Sequence, residues 1–166
     1  TGLLNRRGFL ARCSEDFGGL VKVPFGLLVI DLDRFKLVND EFGHQTGDEV
    51  LIAISRKLQT FEARYACHVG RLGGEEFVVL IYGEDYQRLA ETVRRQITLS
   101  VLEKVPEVPF PVTASAGLTE VRPNDTLDSA VKRGDEALYA AKDAGRDVLL
   151  TWQDGQHRQP RILRGV

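Results

Sequence analysis

The sequence predicts an α+β fold of the ferredoxin-like type, a mainly antiparallel sheet with helices packed on one face. Three observations point there. The run Phe25-Gly-Leu-Leu-Val-Ile-Asp31 is apolar almost throughout and reads as a strand buried on both sides. Apolar stripes at helical spacing alternate with shorter strand-like runs, in the order strand, helix, strand, strand, helix, strand, helix, strand. Glycines, prolines and capping residues fall between these segments, where turns are needed.

Each element has its own warrant. From Gly47 onward, Val50, Leu51, Ile54 and Leu58 share one helical stripe, with Arg56 and Lys57 on the other side. Residues 68–72 and 77–82 read as two short strands joined through Gly73-Gly74. Leu89, Val93 and Ile97 recur every four residues, which predicts a helix over 85–104 with Asp85 as its N-cap. Pro106, Pro109 and Pro111 break the chain, and 112–121 alternates like a strand. Asp125 or Thr126 can cap a last helix carrying Leu127, Val131, Leu138 and Ala141, which Gly145 ends. Residues 148–152 make a final strand, and the polar, basic stretch 154–166 is expected to be a flexible tail. One domain over 1–153 accounts for the rest.

Composition narrows the function. The 166 residues are 43% hydrophobic and 28% charged, as in an ordinary soluble domain. No apolar run approaches the roughly 20 residues that span a bilayer, so a cytoplasmic domain is expected, with membrane anchoring of a parent protein left open. A net charge of -2 argues against a nucleic-acid partner. Cys13 and Cys67 suggest neither a disulfide framework nor a zinc site. The chain has no methionine, so it is expected to be a piece of something longer.

Several residues could do chemistry. Asp31-Leu-Asp33 places two carboxylates on one side of an extended chain, at the end of the buried strand. That is a natural hard-cation site, since magnesium takes oxygen ligands and shares them with phosphates. Gly73-Gly-Glu-Glu-Phe77 adds Glu75 and Glu76 at a hairpin tip, where glycine lets the backbone approach a flat ligand. If that hairpin lies beside the first strand, Glu75 meets Asp31. Lys36, Lys142 and Arg146 could take phosphate oxygens, as could backbone amides around Arg34 and Phe35. Asn39 and Asp48 could read a purine edge: Asp48 can accept from the N1–H and exocyclic amine of guanine, a pattern adenine lacks. Taken singly, such residues are more often an ordinary cap, turn or solvated charge.

Together these segments resemble the GGDEF family of diguanylate cyclases, in its Glu-Glu variant. The resemblance rests on Thr1-Gly-Leu-Leu-Asn-Arg-Arg7, Asp31-Leu-Asp-Arg-Phe-Lys-Leu-Val-Asn-Asp40 with Gly43-His-Gln-Thr-Gly-Asp48, Arg71-Leu-Gly-Gly-Glu-Glu-Phe77, Ser115-Ala-Gly117 and Ala137-Leu-Tyr-Ala-Ala-Lys-Asp-Ala-Gly-Arg146. It implies a palm-type sheet akin to that of nucleotidyl cyclases. It implies magnesium, with manganese as a substitute, held by Asp31, the Leu32 carbonyl and Glu75, with Asp33 and Glu76 close by. Glu75, Glu76 and Lys36 would be catalytic. Asn39, His44, Asp48, Arg34, Phe35, Gly74, Lys142 and Arg146 would bind GTP. Two GTP would be joined into cyclic di-GMP and two pyrophosphates by a homodimer with half a site per subunit, under an N-terminal sensory or receiver domain.

Two positions depart from the family pattern. Where many members carry an inhibitory Arg-x-x-Asp, this chain reads Arg64-Tyr-Ala-Cys67, which removes the carboxylate that anchors a guanine edge. At Asp147 the family more often has asparagine. The rival readings are a catalytically silent module that binds GTP or cyclic di-GMP, a cyclase for adenine nucleotides, which Asp48 disfavours, and a dimerisation scaffold, which leaves the charged groups unexplained.

Overall fold

The computed structural model describes residues 1–19, 21–153 and 161–162. In chain order the strands are β1 (Leu4–Asn5), β2 (Phe25–Leu32), β3 (Cys67–Gly73), β4 (Glu76–Tyr82), β5 (Ala114–Glu120), β6 (Leu149–Thr151) and β7 (Arg161–Ile162). The helices are α1 (Arg6–Cys13), α2 (Phe35–Arg64), α3 (Tyr86–Lys104) and α4 (Leu127–Asp143). All strands join one sheet in the order β1-β3-β4-β2-β5-β6-β7. The pairs β2–β4, β2–β5, β3–β4 and β6–β7 are antiparallel, and β1–β3 and β5–β6 are parallel. The mainly antiparallel α+β sheet is therefore present, with parallel additions on both sides of its centre.

The expectation that helices cover one face is corrected. All eight residues of β2 are buried, and a strand apolar on both sides needs cover on both. Leu28, Ile30 and Leu32 pack with α2 and α3 residues such as Ile54, Leu58, Val93 and Ile97. Leu27 and Val29 pack on the opposite side with Phe9 of α1 and Ala130, Val131 and Leu138 of α4.

Three further boundaries differ from the sequence reading. Helix α1 has no foreseen counterpart, because Gly8 and three arginines leave it without a visible apolar stripe; its anchors are Phe9 and Cys13 alone. Helix α2 begins at Phe35 rather than near Gly47, and breaks at Gly43, whose φ of 88° and ψ of 163° are non-helical. Asp85 stands at the N-cap position of α3, but its carboxylate pairs with Arg88 at 3.0 Å and caps no backbone amide. Thr126, by contrast, caps α4 in a reciprocal capping box with Ser129. Most of the expected tail lies outside the described residues; within it, Arg161–Ile162 pairs with Leu150 and Thr151.

α4 sits very close to β5. A Cβ built on Gly117 would lie 2.0 Å from the Gly134 carbonyl oxygen and 2.4 Å from the Leu138 amide nitrogen, and both of those are backbone atoms that cannot swing away. Gly117→Ala is therefore expected to destabilise the domain by about 3 kcal/mol or more, read by chemical denaturation. A loss under about 1 kcal/mol would show that α4 can slide off the sheet without penalty.

Candidate active site

The site grows from the end of β2. Its neighbours β4 and β5 hold it in register along its length, so that Asp31 lies opposite Glu76 on one side and Ser115 on the other. The Leu32 amide donates to the Glu75 carbonyl at 3.3 Å, which ties the hairpin tip to the strand end. The structure thus brings Asp31 and the Glu75-Glu76 pair together.

The turn between β3 and β4 is built for that. Gly73 and Gly74 have φ of 156° and 48°, and nothing lies within 4 Å of a Cβ built on either. Open space means that conformation, rather than crowding, calls for glycine at Gly74. Arg71 closes the turn: its Nε and one terminal nitrogen donate to the Gly74 carbonyl at 2.8 and 2.6 Å.

The two aspartates at the end of β2, Asp31 within it and Asp33 just beyond, have different fates. Asp33 was placed beside the metal by the family likeness, yet its carboxylate is occupied by protein donors. The Ser115 hydroxyl donates at 2.6 Å, the Thr113 hydroxyl at 2.8 Å and the Asp147 amide at 3.0 Å. Asp31 has one such partner, Lys142 of α4, at 3.0 Å. Burial pushes the Asp31 carboxyl above the usual carboxylate range; Lys142 opposes that, and Glu75 and Glu76 add to it. An acidic group that resists ionisation beside two more carboxylates is a place where an added cation is favourable.

Oxygen donors suit magnesium. Among the described residues no group of three or more His, Cys, Asp or Glu side chains is placed to hold a metal. A cation here would rest on Asp31, Glu75 and the Leu32 carbonyl, completed by water or phosphate oxygens.

Around this centre stand the other candidates. Arg34, with φ of 54°, precedes α2 and supplies no side-chain cap, so the amides of its first turn at Phe35 and Lys36 stay open to an acceptor. Lys36 is 89% exposed and meets Asp40 at 3.8 Å. Half-buried Asn39 lies against Gly47: a Cβ there would sit 1.9 Å from the Asn39 Oδ1. Asp48 follows on the next residue and, like His44, is exposed. The Gly43 break sets the two halves of α2 so that Asn39 and Asp48 come from either side of it. Arg146 is exposed just past α4, four residues after Lys142.

Sequence reasoning did not find Asp147, Thr113 and Arg71 in these supporting roles, nor Arg94, whose terminal nitrogen donates to the Asp147 carboxylate at 2.6 Å. A signal existed for Asp147, an acidic residue directly after the Gly145-Arg146 helix stop. The departure at Cys67 is deeper than a change of side chain. Cys67 is 5% exposed in the core, and burial pushes its thiol up to about 11, while Arg64 is exposed at the end of α2.

Comparison with known proteins settles the family. The model described as diguanylate cyclase, GGDEF domain, matches residues 1–148. The chain belongs to the GGDEF family. It is 39% identical over 155 residues to diguanylate cyclase DgcM of Escherichia coli (strain K12), covering 90% of this chain and 37% of that protein. Among solved structures it resembles diguanylate cyclase SiaD of Pseudomonas aeruginosa, determined with its activator SiaC, at a TM-score of 0.77 and 38% identity over 91% of this chain and 59% of the other. It also resembles the GGDEF domain of DgcB from Caulobacter crescentus, determined with c-di-GMP, at a TM-score of 0.72 and 29% identity over 93% and 91%. The chain spans about a third of the length of DgcM. Among the described residues no helix is long and apolar enough to cross a membrane.

Asp31 gives the GGDEF site a pH signature. Its folded carboxyl binds a proton more readily than the unfolded one, so ionisation removes stability as pH rises above the ordinary aspartate range of about 4. Without divalent cation, Asp31→Asn is expected to melt higher than the parent at pH 7, and the gap to close as pH falls toward that range. A parent more stable than the variant at neutral pH would remove the strain from Asp31.

Proposed function

We propose that this chain is the catalytic domain of a diguanylate cyclase, converting two GTP into cyclic di-GMP and two pyrophosphates. The observation that carries it is the meeting of Asp31, Glu75 and Lys142 at one end of the sheet, with Asn39 and Asp48 on the adjoining helix. Family membership and the c-di-GMP bound to the DgcB relative support it.

On this reading Asp31, the Leu32 carbonyl and Glu75 hold magnesium, which supplies a Lewis acid that neutralises triphosphate charge and eases deprotonation of a hydroxyl. Lys142 and Arg146 grip the outer phosphates, and Lys36 with the open amides at Phe35 steadies the reacting one. Asn39, His44 and Asp48 line the guanine, and Asp48 selects against adenine by being left unpaired when adenine enters. Glu75, with Glu76 alongside, takes the proton of the ribose 3′-hydroxyl. The freed oxygen bonds to the α-phosphorus of a second GTP, and the bond to pyrophosphate breaks. A second such step in the opposite direction closes the ring.

Each domain holds one GTP, so turnover needs two copies face to face. A sensory or receiver domain, N-terminal in the parent protein, would govern that pairing, and the site would work in the cytoplasm, where GTP is available.

The direct test is incubation of a forced dimer with GTP and magnesium, with the product identified by chromatography. Cyclic di-GMP is expected; nucleotide binding without product would reduce the domain to a silent receptor. Glu75→Gln should lower turnover at least about 100-fold with folding intact, and unchanged turnover would remove Glu75 from the mechanism. Because the Cys67 thiol is buried and neutral, Arg64 is left without a carboxylate partner for a guanine edge. Calorimetry with cyclic di-GMP should therefore find no submicromolar binding that Arg64→Ala abolishes.

A further inference from the structure

Arg146 and Asp147 sit in the left-handed region, with φ of 67° and 48°, directly after Gly145 at 108°. Neither residue prefers that conformation, and such backbone persists only where its surroundings over-determine it. Here they do. The Asp147 amide donates to Asp33 Oδ2 at 3.0 Å. The Asp147 carboxylate accepts from an Arg94 terminal nitrogen at 2.6 Å, and the same nitrogen donates to the Ala114 carbonyl at 3.0 Å. The Arg146 amide itself reaches back to the Ala141 carbonyl at 3.1 Å.

Asp33 is fixed in turn. Besides accepting the Thr113 and Ser115 hydroxyls, it donates its own amide to the Thr113 carbonyl at 2.8 Å. Its side chain is therefore a node that joins the end of β2, the start of β5 and the loop after α4. Arg94, 7% exposed, anchors the far side through Glu91, which accepts from it twice at 2.8 Å.

We propose that Asp33 is a positioning residue: it holds the Gly145–Asp147 turn through the Asp147 amide, and so aims Arg146, beside Lys142, at the outer phosphates of the nucleotide. This rests on the reading of the site given above and deepens it. Asp33 touches neither the cation nor the substrate. Its effect on binding passes through Arg146, and that distinguishes it from Asp31 two residues earlier.

The test has two arms. In the nucleotide-free chain, Asp33→Asn should speed hydrogen exchange of the amides of residues 145–147, with the β3–β4 hairpin unchanged; equal protection of that turn would overturn the node. For binding, the probes are guanosine and a GTP analogue with a methylene group between the α and β phosphorus atoms, which cannot release pyrophosphate. Asp33→Asn should weaken the triphosphate analogue about tenfold, as expected for one charge-assisted contact, and leave guanosine unchanged. In an Arg146→Ala background the same substitution should add almost nothing. Additive losses, or a shifted magnesium midpoint that persists without Arg146, would make Asp33 a metal-side or merely structural group and overturn the proposal. Thr113→Val, which removes one donor to Asp33, should move both readouts the same way to a smaller degree, and covers the case in which Asp33→Asn does not fold. Failure of the parent chain to bind the analogue would sink the nucleotide reading itself, while the exchange arm still decides whether Asp33 orders the turn.

Discussion

β2 occupies the middle of the sheet, paired over most of its length with β4 on one side and β5 on the other. A strand so placed has no freedom to slip, because a one-residue shift would turn its apolar residues to the wrong faces of a core that fills both sides. Whatever stands at its end inherits that rigidity. Hydrophobic packing of Leu27 to Leu32 therefore fixes where Asp31 and Asp33 stand, and their own hydrogen bonds, to Lys142 for Asp31 and to Thr113, Ser115 and Asp147 for Asp33, fix how their carboxylates are turned. The hairpin tip reaches them because β4 is the neighbour of β2, and Lys142 reaches them because α4 lies against β5 at the closeness Gly117 permits.

This scaffold divides its acids into a satisfied one and a strained one. Asp33 meets three donors and knits three segments together. Asp31 is just as buried, and has one lysine against burial and two neighbouring glutamates. Had the site been arranged for stability alone, Asp31 would be the position to make apolar or to give further donors. A carboxylate left so poorly compensated, in a neighbourhood otherwise well hydrogen-bonded, is the one an added cation would relieve most. Lys142 moderates that burial cost through its contact at 3.0 Å, as a flexible point charge that can change partners.

Much of this was legible in the sequence, for definite reasons. The unbroken apolar run of β2, the four-residue spacing in α3 and the Thr126 cap of α4 are local signals, and each produced its element within a few residues. The apolar run also implied two covered faces, so the expectation of a single helical layer contradicted its own premise. Helix α1 escaped because two buried residues four apart are too few to make a stripe, and tertiary contact with β3 carries it instead. The early start of α2 was masked by Gly43, whose break divides one helical signal in two. The convergence of acids was legible as a condition: Glu75 meets Asp31 if the hairpin is adjacent. What no pattern conveys is which carboxylate is already occupied. Asp31 and Asp33 look alike in sequence, and only Thr113, Ser115 and Asp147, more than 75 residues away, tell them apart.

The same logic bears on Cys67, where the family resemblance would put an aspartate. Cys67 opens β3 with its side chain in the core, opposite Ile81 across the ladder. A carboxylate in that environment would need partners to offset burial, whereas a thiol needs none and packs as a small apolar group. Cys67 thus offers apolar packing and no anionic acceptor. Arg64 keeps its place at the end of α2, one turn from Phe61 and stacked Tyr65, with nothing acidic opposite it at Cys67. A ligand at this corner would meet Arg64 among Lys57, Thr60, Tyr65 and Gln96, with no carboxylate at Cys67, and its charge contacts there would be screened by salt. Charge contacts at such a corner are weak for the same reason that exposed ion pairs are weak.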